Sequence, residues 1–131
     1  MPAVQRDDAG SSVVEFALVT VLLMFLFLVV LQVGLVLHVR TLLVAAAAEG
    51  ARYGADADRS DEDGAARAVQ VLSEALPGRV GERATASAVP RTPGAQPQVV
   101  DIVVTGTLSV VFLPVGPLHL TVHGHALEEG G

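Results

Sequence analysis

The chain contains no cysteine, which excludes disulfides, thiol catalysis and cysteine-based zinc sites. It also lacks a basic patch. Its eight basic residues are all arginine, they are scattered, and fourteen acids bring the net charge to −6. Nothing here displaces counterions from a phosphate backbone, so nucleic acid is not an expected partner. No nucleophile motif and no phosphate-binding loop occurs. The chain is therefore not expected to be an enzyme or to need a cofactor. The most informative absence is local: from Ala17 to Leu37 twenty-one residues pass without a charge, and Gln32 is the only strongly polar one.

At about 1.5 Å per helical residue, that run matches a hydrocarbon core of roughly 30 Å. It predicts one transmembrane helix. About fifteen residues precede it and roughly ninety follow, enough for one small domain within the 131 residues.

Three readings of the N-terminus compete. A secretory signal would use Ala45-Ala46-Ala47-Ala48 as its cleavage region. Its apolar run, however, exceeds the usual 7–15 residues or so, and Arg40 intervenes. An uncleaved anchor would use Ser12-x-x-Glu15 as a capping box at the helix start, with the carboxylate favoured by the helix dipole. The third reading puts Glu15 at or inside the membrane boundary, where an unpaired charge is unfavourable and calls for a partner. A cut after Gly10 would create an α-amino group at Ser11, one turn before Glu15, able to pair with Glu15 of a neighbouring copy.

The stretch Gly10-Ser11-Ser12-Val13-Val14-Glu15-Phe16 and the apolar run after it resemble the class III signal of type IV pilins and pseudopilins. Val14-Glu15-Phe16-Ala17-Leu18-Val19 and the segment Ala46–Ala55 narrow the resemblance to TadE-like pseudopilins of the tight-adherence (Tad) pilus system. Leu118–Glu129 is similar to the closing strand of that family. The resemblance implies cleavage by a prepilin peptidase after Gly10, with Ser11 as the mature, often N-methylated, terminus. Glu15 would then set assembly register, with Phe16 in the aromatic slot beside it. It also implies a cytoplasmic N-terminus, which the charges alone do not set, since Arg6 is offset by Asp7 and Asp8 and competes with Arg40 and Arg52 beyond the helix. The leader is less basic than is common in the family.

Beyond Leu37 the helix is expected to continue through Ala55. Ala46, Gly50 and Gly54 recur every four residues, a small-residue face that lets backbones approach closely. Two partners fit it equally: the protein's own sheet, or a neighbouring subunit's helix. Asp56–Asp63 fails as a calcium loop, because Asp61 stands where the loop glycine belongs and Arg67 where a bidentate glutamate belongs. Ser60 and Asp63 instead predict a capped helix, with Ala65, Ala68, Val69, Leu72 and Leu76 on one face and Pro77-Gly78 as its stop. Strands are expected over Arg83–Val89, from Ile102 (Ile102, Val104, Leu108, Val110 and Phe112 facing one way, Thr105, Thr107 and Ser109 the other), and over Leu118–Ala126, with a Pro90–Pro97 loop and a Pro114–Pro117 turn between them. His119, His123 and His125 share one strand face, a polar surface rather than an expected metal site.

The fold class is therefore α+β: a long N-terminal transmembrane helix extended into a small extracytoplasmic domain with a short helix and an antiparallel sheet. The expected parts are residues 1–10 as a prepilin-type leader, 11–40 as the membrane segment and 41–131 as the domain. The expected function is that of a structural pseudopilin in a single-pass arrangement in the cytoplasmic membrane. Its partners would be prepilin peptidase, other pilin or pseudopilin subunits, and the Tad membrane platform. The alternative is an uncleaved, membrane-tethered binding module.

Overall fold

The computed structural model describes residues 7–76, 78, 83–94, 97–109 and 116–128. In chain order these form α1 (Asp7–Gly54), α2 (Asp61–Ala75), β1 (Thr85–Ala88), β2 (Val99–Ser109) and β3 (Pro117–Leu127). A long apolar helix, a short helix and a three-stranded antiparallel sheet give an α+β fold. Of the residues singled out above, Arg6, Pro77, Val110, Phe112, Pro114, Val115 and Glu129 lie outside the described residues, as do 95 and 96 of the Pro90–Pro97 loop.

Two compact units divide the chain, Met1–Leu35 and Val36–Gly131. The first is helical from Asp7 onward. Its apolar side chains are exposed, from Val13 and Phe16 to Leu35, and Phe16 is 73% exposed. Such a surface suits lipid and not water. The Thr20 hydroxyl donates to the Phe16 carbonyl at 2.8 Å, so this polar group stays satisfied inside an apolar run.

In the second unit the burial of α1 becomes one-sided. Val39, Leu43, Ala46, Ala47, Gly50, Ala51 and Gly54 are buried, a helical stripe of mostly small residues. Small residues are needed because α2 crosses close by. A Cβ on Gly50 would lie 2.6 Å from the Gly64 carbonyl oxygen and 2.8 Å from Ala68 Cβ. Gly64 reciprocates: a Cβ there would lie 2.6 Å from the Gly50 oxygen. A Cβ on Gly124 of β3 would run into the Ala47 backbone, so the sheet approaches the helix as closely as α2 does.

The helix α2 opens as its sequence predicts. Ser60, the N-cap, accepts from the Asp63 N–H at 3.1 Å, and the Asp63 carboxylate accepts from the Ser60 N–H at 3.0 Å. Ala65, Ala68, Leu72 and Leu76 are buried and Val69 is half-buried. The chain leaves through Gly78 at φ +88°, a left-handed conformation that suits glycine.

The strand order is β1-β2-β3, antiparallel throughout. On β2 burial alternates, with Val100, Ile102, Val104, Gly106 and Leu108 inward and Asp101, Val103, Thr105 and Thr107 half-exposed. The strand starts at Val99, earlier than the alternation read from Ile102. On the unit's core side Leu43, Leu72, Val100, Ile102 and Val104 are fully enclosed. Two polar clusters close its margins. Arg91 is held by the Asp61 carboxylate (Nε to Oδ2 2.8 Å) and by Glu128 (2.6 Å), joining the loop after β1 to the start of α2 and the end of β3. Asp61, through its hydrogen bond, is the chief reason that the guanidinium pKa is raised. At the end of α1, Arg59 lies over the Tyr53 ring, 4.0 Å from its centroid, with Arg67 at 6.0 Å.

Candidate functional site

Gly10 and Ser11 are exposed residues inside α1. A glycine in a helix interior costs about 0.5–1 kcal/mol relative to alanine, so it calls for a reason. Close packing is not that reason at Gly10, where an added Cβ meets nothing within 4 Å. Gly34 is equally open, but it lies within the apolar run, and glycine is commoner in membrane helices.

Glu15 is exposed, next to exposed Phe16. The helix starts at Asp7, more than two turns before Glu15. Ser12 and Glu15 are therefore interior positions, and the capping-box reading of this pair is corrected. Its pattern is present, but a cap needs the first free N–H groups, and those belong to residues further upstream. Among the described residues no hydrogen bond or ion pair engages Glu15. A carboxylate is thus presented sideways from the helix, with Ser11 and Ser12 one turn before it and the apolar Leu18 and Val19 one turn after it.

Ala46, Gly50 and Gly54 are buried within the unit 36–131, Gly50 against Gly64 and Ala68 of α2 and Gly54 against Ser60, Gly64 and, on β2, Val100. Of the two partners weighed for this face, the chain's own elements occupy it here, and α2 takes a larger share than the sheet.

The histidine face of β3 divides in two. His119 pairs across the sheet with Thr107, whose hydroxyl lies 3.3 Å from His119 Nδ1. His123 and His125 flank Asp101 of β2, with Nδ1 to Oδ1 distances of 3.5 and 3.4 Å, and their rings stack at 6.1 Å. The buried Asp101 Oδ1 makes no hydrogen bond within ordinary criteria. Thr121 separates His119 from the other two, and no group of three or more metal-type ligands among the described residues is placed to hold an ion. The contribution of Asp101 was missed from sequence. Its signal was the hairpin register, which sets Asp101 opposite His125.

The described residues thus define a class: a small α+β protein with one N-terminal helix long and apolar enough to cross a membrane, fitting a single-pass membrane protein. The family comparison is more specific. Residues 10–52 match the family model of TadE-like protein, consistent with a TadE-like protein of the Tad pilus system, a structural family associated with that pilus. No curated protein and no solved structure matches the chain.

Proposed function

We propose that this chain is a pseudopilin: processed by prepilin peptidase between Gly10 and Ser11, anchored by residues 17–37 with its N-terminus cytoplasmic, and assembled laterally through Glu15. Residues 11–40 form the membrane segment and 41–131 the extracytoplasmic domain. The observation that carries this reading is the family match, which begins at Gly10 and spans the helix. Two features of the helix support it. Gly10 has no packing role, and Glu15 is exposed without an intramolecular partner among the described residues.

The mechanism follows from the cost of an unpaired charge. A carboxylate near hydrocarbon is unfavourable by up to about 2.5–3.5 kcal/mol at the membrane centre and less at the interface. The α-amino group freed at Ser11 of a neighbouring copy offsets that penalty only when the helices are in register. Glu15 therefore selects one axial stagger, while Phe16 and the apolar side chains supply contact. The domain is left to meet other pilin or pseudopilin subunits and the Tad membrane platform.

Intact mass and N-terminal sequencing of membrane-extracted protein, made with and without a prepilin peptidase, test the proposal. A start at Ser11 only with the peptidase supports it, and Gly10→Leu should then accumulate as precursor. An unprocessed N-terminus under both conditions would overturn processing and leave a tethered binding module.

A further inference from the structure

Packing inside the unit 36–131 fixes which way its sheet runs along α1. A Cβ on Gly106 would meet the Leu43 side chain at 3.1 Å, and one on Gly124 would run into the Ala47 backbone. One on Gly54 would lie 3.4 Å from Val100. Gly124 pairs with Ile102, so as α1 advances from Leu43 to Gly54 the facing part of β2 goes back from Gly106 to Val100. The turn end of the β2–β3 hairpin therefore lies where α1 enters the unit. From Leu43 back to Leu37 the helix covers about 9 Å, and from Gly106 on to Ser109 the strand covers about 10 Å. Ser109 and its cross-strand partner Pro117 thus stand near the level of Leu37, where the apolar run ends.

That end is apolar where the end of a domain in water is polar. Ser109, Gly116 and Pro117 are exposed, and Leu118 is 38% exposed. The sequence joining the two strands, Val110-Val111-Phe112-Leu113-Pro114-Val115, has no polar or charged side chain, whereas turns facing water carry them. Among the described residues two arginines belong to this end. Arg40 is exposed on α1, and Arg83 Nη1 lies 3.5 Å from Ser109 Oγ. At a membrane boundary such side chains lay their stems on apolar surroundings and keep their charge among the headgroups. The described acids collect at the other end, in the turn from α1 to α2 and at Asp101 and Glu128, where Arg91 joins Asp61 to Glu128. Glu49 and Glu74 lie between the two ends.

We propose that the turn end of the hairpin rests in the interface of the bilayer that α1 crosses. The domain is then held to lipid at two places, helix and hairpin, and is kept from swinging about the helix. Lipid is the occupant because this surface is continuous with the end of the apolar run, so anything covering it lies at headgroup level. The inference rests on the membrane-anchor reading and not on processing.

Tryptophan quenching in phosphatidylcholine vesicles carrying the full chain, with bromine on the upper part of the acyl chains, tests this. The chain has no tryptophan, so an introduced one reports alone. Pro117→Trp and Leu118→Trp should emit at shorter wavelength than in detergent-free buffer-exposed positions and lose most of their emission to bromine. Leu127→Trp carries the same indole at a site 61% exposed, about 30 Å along the strand, and should keep its emission. Two positions near the turn are used so that poor folding of one, read by circular dichroism, leaves the other. The proposal is overturned if the folded variants at 117 and 118 are quenched no more than Leu127→Trp. Val30→Trp, inside the apolar run, should be quenched in any anchored chain; without that quenching the anchor premise itself fails.

Discussion

Replacing Gly50 by alanine sets two effects of known sign against each other. In an open helix the change is stabilising, by about 0.8–1 kcal/mol. At Gly50 the new Cβ would sit 2.6 Å from the Gly64 oxygen and 2.8 Å from Ala68 Cβ. Both partners are backbone or a stub of side chain, so neither can swing away. The two helices must separate by roughly 0.6–1 Å to restore van der Waals contact, and overpacking of that kind costs about 1–3 kcal/mol. The clash wins by about 1 kcal/mol, which lowers Tm by roughly 4–8 °C for a domain of this size. The control lies one turn on. A Cβ on Gly54 meets its neighbours at 3.3–3.4 Å, a squeeze that small shifts relieve, so Gly54→Ala should be neutral or slightly stabilising. Thermal unfolding of the full chain in detergent, followed by circular dichroism, reads the difference. If Gly50→Ala raises Tm as much as Gly54→Ala does, the close crossing of α1 and α2 is not the determinant argued here.

Ser60→Ala should destabilise by about 1 kcal/mol through loss of the cap, measured by urea unfolding. The Asp63 carboxyl is held below its ordinary 3.8, chiefly by the Ser60 N–H and then by the Ser60 hydroxyl. A lowered folded pKa contributes stability that is present above the ordinary value and lost as pH falls through the lower one. The deficit of Asp63→Asn should therefore shrink in acid below that range. Arg91→Met should cost about 1 kcal/mol for these partly exposed pairs, with a deficit that narrows in high salt; an unchanged deficit would mean the packing of the stem matters more. Glu15→Gln should leave vesicle insertion intact and reduce co-purification with pilus assemblies, and unchanged co-purification counts against the register role.

Local pattern carried much of this fold, and local pattern explains what escaped. The run 17–37, the Ser60–Asp63 cap and the alternation of Ile102, Val104 and Leu108 each involve near neighbours in sequence, so period and capping chemistry suffice. The start of α1 escaped because Ser12 and Glu15 satisfy a capping rule that the upstream residues Asp7–Gly10, also helical, make irrelevant. The Arg91 cluster escaped because its partners lie 30 and 37 residues away, at distances where charge spacing carries no signal. Asp101 beside His123 and His125 occupies a middle ground, readable only once the β2–β3 register is known. At Ala46, Gly50 and Gly54 the spacing announced a close approach but not its partner. That partner is α2, through Gly64 and Ala68: Ala68 is on the face read from the sequence, but nothing in the spacing matches that face to this one.

The Arg59 guanidinium resting on Tyr53 has a practical consequence. The chain has one tyrosine and no tryptophan, so its near-ultraviolet emission comes from a single phenol, at the junction between the end of α1 and the turn into α2. Release of Arg59 and Arg67 from that ring changes its surroundings at one known place. The protein therefore carries its own optical probe for the loosening of this corner, with no label attached.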